Sequence, residues 1–299
     1  LAETIDRMLP AASADRLRIA GLLGSYGEDA AAVSILEKMP PGSPAAGDAS
    51  FDLALALFHL RAYERAANSL DAALSGPQRA EALNLLADIN DARQHIGAAA
   101  AEYQEAIGLQ PGNEDFWFSY GLFLLRHDRA AQAVDVFERG IDRVPGSTRL
   151  QLGQGVALYT SGTYDRAVEC LVKLATGKPA VTLTYYLLGE MYEAVPTMQD
   201  RVSSLIEAYI KNGPADPGAY YEFGKILFLR AQAGKDPDHG QAKRNLQRAL
   251  ALNPKLAEAY WQLAVVAQSE GKSAASIPLL EKALALKPDY FEAHLNKGA

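Results

Sequence analysis

The chain has 299 residues, 49% hydrophobic and 22% charged, a balance that excludes wholesale disorder and suits one large folded domain or two ordinary ones. Its net charge of −7 at pH 7 disfavours non-specific binding to nucleic acid or anionic membrane, which needs a basic surface. No apolar run reaches the roughly 20 residues of a membrane span, so no membrane insertion is expected, and the single cysteine, Cys170, cannot form an internal disulfide.

Heavy use of alanine, with few Thr and Ile, favours helix over sheet. In chain order the helices are punctuated by Pro10, Pro44, Pro77, Pro111, Pro145, Pro179, Pro214, Pro254 and Pro288, spaced by 34, 33, 34, 34, 34, 35, 40 and 34 residues. Proline cannot continue a helix and biases the preceding residue away from helical geometry, so each one ends a helix. Two helices of about a dozen residues fit between successive prolines. Ten residues after each proline stands a small residue: Ala20, Ala54, Ala87, Gly121, Gly155, Gly189, Gly224, Ala264 and Gly298. A second small residue precedes most of the prolines, at Ala32, Ala66, Ala99, Ala133, Ala167, Ala242 and Ser276. Glycine inside a helix costs roughly 1 kcal/mol against alanine, so its recurrence at one phase points to close helix contact.

These residues resemble the tetratricopeptide repeat, whose 34-residue pattern has Trp, Leu, Gly and Tyr on a first helix, Ala, Phe and Ala on a second, and then Pro. Trp117, Gly121, Ala133, Phe137 and Pro145 match it; so do Gly155, Gly162, Tyr164, Asp165, Ala167 and Pro179. Tyr185, Leu188, Gly189 and Tyr192 follow, and Tyr260, Leu263, Ala264, Ala283 and Pro288 close the series. The resemblance implies an all-α, right-handed superhelical solenoid of antiparallel helix pairs without β-sheet. It places repeats at 13–46, 47–79, 80–113, 114–147, 148–181, 182–216, 217–256 and 257–290. Residues 1–12 fit the end of a preceding repeat and 291–299 the start of a further one, as in a segment of a longer chain. Two repeats depart from the pattern: 182–216 meets Pro196 early and has Arg201 where a small residue is expected, and 217–256 carries about six extra residues around 233–241. The insertion reads as a tolerated surface loop or as a hinge.

The most apolar decade, FWFSYGLFLL at 116–125, carries two stripes. Trp117, Gly121 and Leu124, with Tyr120, face the partner helix, while Phe118, Leu122 and Leu125 repeat the same spacing one residue later. In tetratricopeptide-repeat proteins the second stripe resembles the lining of a concave groove. Its equivalents are Leu17, Gly21 and Gly24; Phe51, Leu55 and Phe58; Asn84, Asp88 and Asp91; and Leu152, Val156 and Tyr159. They continue with Tyr186, Glu190 and Glu193; Tyr221, Lys225 and Phe228; and Trp261, Val265 and Gln268. The stripe reads either as a ligand groove, since aromatics anchor interfaces, or as ordinary packing between repeats. Its acidic breaks, Glu81, Asp88 and Asp91 and then Glu190 and Glu193, read as selectors of a basic partner or as a solvated face. The Lys–Asn pair with which related domains clamp a C-terminal carboxylate is absent from the matching positions.

No chemistry-bearing motif is found. His59, His95, His127, His239 and His294 are scattered without metal-ligand spacing. The GQG at 153–155 lacks the third glycine and the preceding strand of a dinucleotide fingerprint. Cys170 reads as a buried apolar residue of a second helix. No catalytic residue, cofactor or metal is therefore expected. The expected role is a non-enzymatic protein–protein interaction scaffold that holds an extended peptide or amphipathic helix of a partner in the groove. The partner would bear basic residues if the acidic breaks select it, and self-association through the stripe is a further possibility. The chain is expected to be soluble, and cytoplasmic or periplasmic in a bacterial assembly, with which its alanine content and lack of an N-x-S/T sequon agree. The alternative is a substrate-recruiting arm of an enzyme whose catalytic domain lies outside these residues.

Overall fold

A computed structural model describes residues 14–39, 46–213, 215–234 and 239–298. Pro10, Pro44, Pro214, the segment 1–12 and the centre of the 233–241 insertion lie outside the described residues, and of Gly298 only the helical backbone is described. Among the described residues there are eighteen α-helices, one short 3-10 turn and no strand.

The chain divides into two compact units, 1–153 and 154–299. The first holds α1 (Ala14–Ser25), α2 (Asp29–Leu36), α3 (Ala46–His59), α4 (Tyr63–Asn68), α5 (Asp71–Leu74), α6 (Arg79–Ala92), α7 (Ile96–Leu109), α8 (Glu114–Arg126) and α9 (Ala130–Arg143). Helix α10 (Thr148–Thr160) contains the point of division. The second unit continues with α11 (Tyr164–Gly177), α12 (Thr182–Glu190), the 3-10 turn Tyr192–Ala194, α13 (Gln199–Asn212), α14 (Pro217–Gln232), α15 (His239–Leu252), α16 (Ala257–Ser269), α17 (Ser273–Leu286) and α18 (Phe291–Gly298).

In six of the repeats the turn from first to second helix is made the same way. Gly27, Arg61, Gln94, Asp128, Gly162 and Gly271 all have positive φ, and each stands seventeen residues after a ladder proline. The next amide donates back across the helix end: Glu28 to Leu23, Ala62 to Leu57, His95 to Asn90, Arg129 to Leu124, Thr163 to Leu158 and Lys272 to Ala267, at 2.8–2.9 Å. This is the Schellman closure, which satisfies carbonyls that a helix end would otherwise orphan.

In 182–216 the same phase falls on Pro196, whose ring locks φ near −65° and which has no amide hydrogen. The closure is impossible there, and α12 stops early, at Glu190. The chain then makes its 3-10 turn, and the carbonyl of Tyr192 accepts from Gln199 Nε2 at 3.3 Å. Arg201 is exposed, and the neighbouring Val202 and Ser203 take the buried positions. In 47–79 the expected single second helix is split into α4 and α5. Ser69 Oγ bonds the Arg65 carbonyl and Ser50 Oγ the Ser69 carbonyl, side-chain bonds that compete with the helical ladder.

The recurring small residues are contact points. Ala20, Ala54, Ala87 and Ala264 are fully buried. A Cβ on Gly121 would fall into the Phe137 ring, one on Gly155 would lie 2.8 Å from Leu171 Cδ2, and one on Gly224 2.8 Å from Leu246 Cγ. Each of these neighbours belongs to the second helix of the same pair. Gly189 differs, because its space is taken by Glu222 of α14.

Candidate functional site

Helix α8 shows how the site is built. Phe116, Trp117, Phe123 and Leu124 are at most 3% exposed, whereas Phe118, Leu122 and Leu125 remain half-buried. The buried side chains face two ways. Trp117 donates its indole N–H to the Pro111 carbonyl at 2.8 Å and packs on Gly140 of α9. Tyr120 and Phe123 lie against Tyr103 of α7, with ring centroids 5.7 and 5.3 Å apart. The helix is thus apolar nearly all round because two neighbouring helices cover it and a third face stays partly open. On that face Phe118 leans on Phe137, and the Arg149 guanidinium sits 3.9 Å from its ring centre while pairing with Asp115.

Elsewhere in the first unit Phe51, Leu55 and Phe58 are half-buried against the core, and Leu152 is half-buried on α10. The acidic break between them is internally satisfied. Tyr103 donates its hydroxyl to Asp88 at 2.5 Å, and Asp91 accepts from Arg126 and His127 at 2.6 Å each. Burial pushes the Asp88 carboxyl above its ordinary range, against the pull of Tyr103 and Arg126. Burial also raises the Tyr103 hydroxyl, reinforced by Asp88. Glu81 accepts from Gln110 at 3.0 Å. Asp88 and Asp91 thus bind α6 to α7 and α8 and are engaged internally, whereas Glu81 keeps its buried Oε2 without a hydrogen-bond partner among the described residues.

In the second unit the stripe is less uniform. Val156 is half-buried, and Tyr159 and Tyr186 are 37% and 42% exposed. Tyr221 and Phe228, expected on the same open face, are instead only 7% and 8% exposed. Lys225 bridges Glu190 at 2.6 Å and Glu222 at 2.7 Å. Glu222 is wholly enclosed, and burial pushes its carboxyl up to about 8, with Lys225 opposing the shift. Burial works against the Lys225 ammonium too, but Glu222 and Glu190 hold it above its ordinary value. Glu193 is exposed. Trp261 and Gln268 meet Asn296 of α18, through the indole N–H at 3.4 Å and paired amide bonds at 2.9 Å.

Sequence reasoning missed Tyr103, Arg126, Arg149 and Glu222, each of which meets a stripe residue. Only the small residue at Gly189 carried a signal, since it demanded a bulky neighbour. The GQG segment is a packing device: a Cβ at Gly153 would lie 2.5 Å from Phe137 Cε1, while Gly155 leaves room for Leu171. Cys170 is half-buried and donates to Gln154 at 3.2 Å, not the buried apolar residue expected. Among the described residues no group of three or more His, Cys, Asp or Glu is placed to hold a metal ion, and no helix is long and apolar enough to cross a membrane.

Paired helices with one recurrent turn and one recurrent contact point define a helical repeat protein. The tetratricopeptide-repeat family model matches residues 23–80, 63–114, 85–148 and 121–180, and a second model of the same repeat matches 257–290. The chain belongs to the tetratricopeptide-repeat family, and its repeats make it a protein–protein interaction scaffold. It is 26% identical over 232 residues to "Cellulose synthase operon protein C" of Escherichia coli, covering 72% of this chain and 20% of that protein. It is 29% identical over 140 residues to "TPR repeat-containing protein YpiA" of Bacillus subtilis, covering 46% and 31%. It is 22% identical over 226 residues to "Protein O-mannosyl-transferase TMTC3" of Homo sapiens, covering 72% and 23%. The chain thus spans under a third of the length of each of these relatives. Its fold is shared by the C-terminal part of a TPR repeat-containing protein from Cytophaga hutchinsonii, with TM-score 0.54, 17% identity, and 94% of this chain and 98% of that one covered. It is also shared by yeast Tom70, with TM-score 0.56, 15% identity, and 90% and 57% covered.

Proposed function

We propose that the chain is a non-enzymatic scaffold whose first-helix stripe holds a peptide or helical segment of a partner protein, within a larger bacterial assembly. The repeat boundaries given above belong to this reading. The observation that carries it is the contrast within α8, where Phe118, Leu122 and Leu125 stay partly open beside neighbours that are almost fully enclosed. Partly exposed apolar surface of this kind marks interaction sites. With Asp88 and Asp91 engaged internally, the first unit's stripe suits an apolar anchor better than a basic one. Two of the relatives above are bacterial, in keeping with the proposed setting.

Photo-crosslinking tests it. A crosslinker placed at Leu122 or Tyr186, in lysate of the source organism, is expected to label one segment of a partner, and that segment as a synthetic peptide is expected to compete. Labelling only from the exposed second-helix position Asp142 would overturn the reading. A recruiting arm of a larger enzyme is the second reading, favoured by one relative's transferase name and by the short share of each relative that the chain spans. The complete reading frame separates the two.

A further inference from the structure

The first unit has a crevice of about 520 Å³ between the second helices α7 and α9. It does not belong to the stripe. Its floor is Trp117, Tyr120 and Leu124, spaced i, i+3, i+7 along one face of α8. Phe118, Leu122 and Leu125 occupy another face of the same helix. The three floor side chains are buried, so the floor is held by the core beneath it.

The rim carries Arg129 and Arg139, with Asp135 as the one carboxylate. Five other arginines of this unit each hold a carboxylate of a different segment: Arg65 with Glu37, Arg79 with Glu105, Arg93 with Glu64, Arg126 with Asp91 and Arg149 with Asp115. Among the described residues neither Arg129 nor Arg139 has such a partner, and Asp135 lies beyond ion-pair distance of both. Two guanidiniums against one carboxylate leave the rim cationic in a chain of net charge −7. Arg139 is also oriented in advance, with its guanidinium 5.5 Å from the Trp117 ring centre. Gln104 donates to the Tyr120 hydroxyl at 2.7 Å, which leaves the phenolic proton to be offered to an acceptor in the crevice.

We propose that this crevice is a second docking site, for an acidic peptide segment of a partner protein. One apolar side chain of the segment rests on Trp117, Tyr120 and Leu124, and an adjacent carboxylate is held by Arg129 and Arg139. The floor is already held by the core, so it shapes the crevice without rearranging, and Tyr120, the most exposed of the three at 9%, gives the segment its aromatic edge. The guanidinium fork matches carboxylate geometry, giving short charge-assisted hydrogen bonds. A space of this size lies within the range that binds small ligands and single side chains, about 300–1,000 Å³. The site is independent of the stripe, and each can fail without the other.

The chain's two tryptophans, Trp117 and Trp261, make the test direct. In ¹⁵N-labelled protein each gives one indole N–H resonance, assigned with a Trp261→Phe variant. The probe is a synthetic pentapeptide of alternating acidic residues and leucine, acetylated and amidated, beside its Asn/Gln analogue. The acidic peptide is expected to move the Trp117 signal saturably and leave Trp261 unmoved, with the neutral analogue roughly tenfold weaker. Both arginines are exposed, so an Arg129→Gln/Arg139→Gln variant should melt like wild type while losing roughly tenfold in affinity. Asp135→Asn should tighten binding. No saturable shift into the low-millimolar range, equal binding of both peptides, or unchanged affinity in the double variant would each overturn the proposal.

Discussion

Tyr185 and Tyr209 stack with ring centroids 3.7 Å apart and planes 14° from parallel. At the corresponding places in 114–147 stand Trp117 and Gly140, where the glycine leaves the whole space to one ring. In 182–216 both helices contribute an aromatic, and an apolar cavity of about 470 Å³ opens beside the pair. The stack sits in the segment whose first helix ends early for want of a left-handed turn, so the two departures fall together. Truncating Tyr209 to Ala should cost about 3 kcal/mol, since both rings are buried and the cavity would grow. Urea denaturation of the second unit's signal checks this.

Gly121 and Gly153 enclose the Phe137 ring from two sides, so that ring cannot retreat. Gly121→Ala is therefore expected to destabilise by about 1–3 kcal/mol. Gly97, inside α7 with nothing near its missing Cβ, is the control: Gly97→Ala should stabilise by up to about 1 kcal/mol. Paired melts of the two variants decide between packing and propensity.

Arg61 adopts φ of 60° at an exposed turn. A side chain in that conformation costs roughly 1–2 kcal/mol, partly offset by glycine's freedom when unfolded. Arg61→Gly should accordingly raise stability by about 0.5–1 kcal/mol, read as a higher melting temperature.

Glu222 binds its proton more tightly folded, at about 8, than at its ordinary value of 4.5. The folded state then holds a proton the unfolded chain has released, and stability falls as pH rises between those values. The contribution is complete below about 4.5 and lost as pH passes through about 8, with a slope approaching 1.4 kcal/mol per pH unit. Glu222→Gln should flatten that dependence and exceed wild type in stability toward pH 8. Denaturation midpoints measured across the window test the sign.

Asp91 holds Arg126 and His127 together on the rim of α8. Asp91→Asn keeps the shape but weakens two charge-assisted bonds, so a loss of about 1–3 kcal/mol is expected. If the variant instead melts like wild type, the carboxylate is available to a partner after all.

The amino-acid sequence by itself determined the repeat. Pro77, Pro111, Pro145, Pro179, Pro254 and Pro288 each follow the end of a second helix, and the small residue ten places later marks the helix contact, because both depend only on backbone geometry and side-chain size. The phase of the apolar stripe on α8 was equally legible, since i, i+4, i+7 fixes a helical face whatever lies opposite. Only the tertiary structure decided how open that face is. Phe118 and Tyr221 share one phase, yet Phe118 is half-buried and Tyr221 enclosed, because enclosure depends on neighbouring helices whose lengths and closures differ. It also decided the fate of the charges. Asp88 meets Tyr103, Asp91 meets Arg126 and Glu190 meets Lys225, pairings between helices that no spacing within one helix encodes.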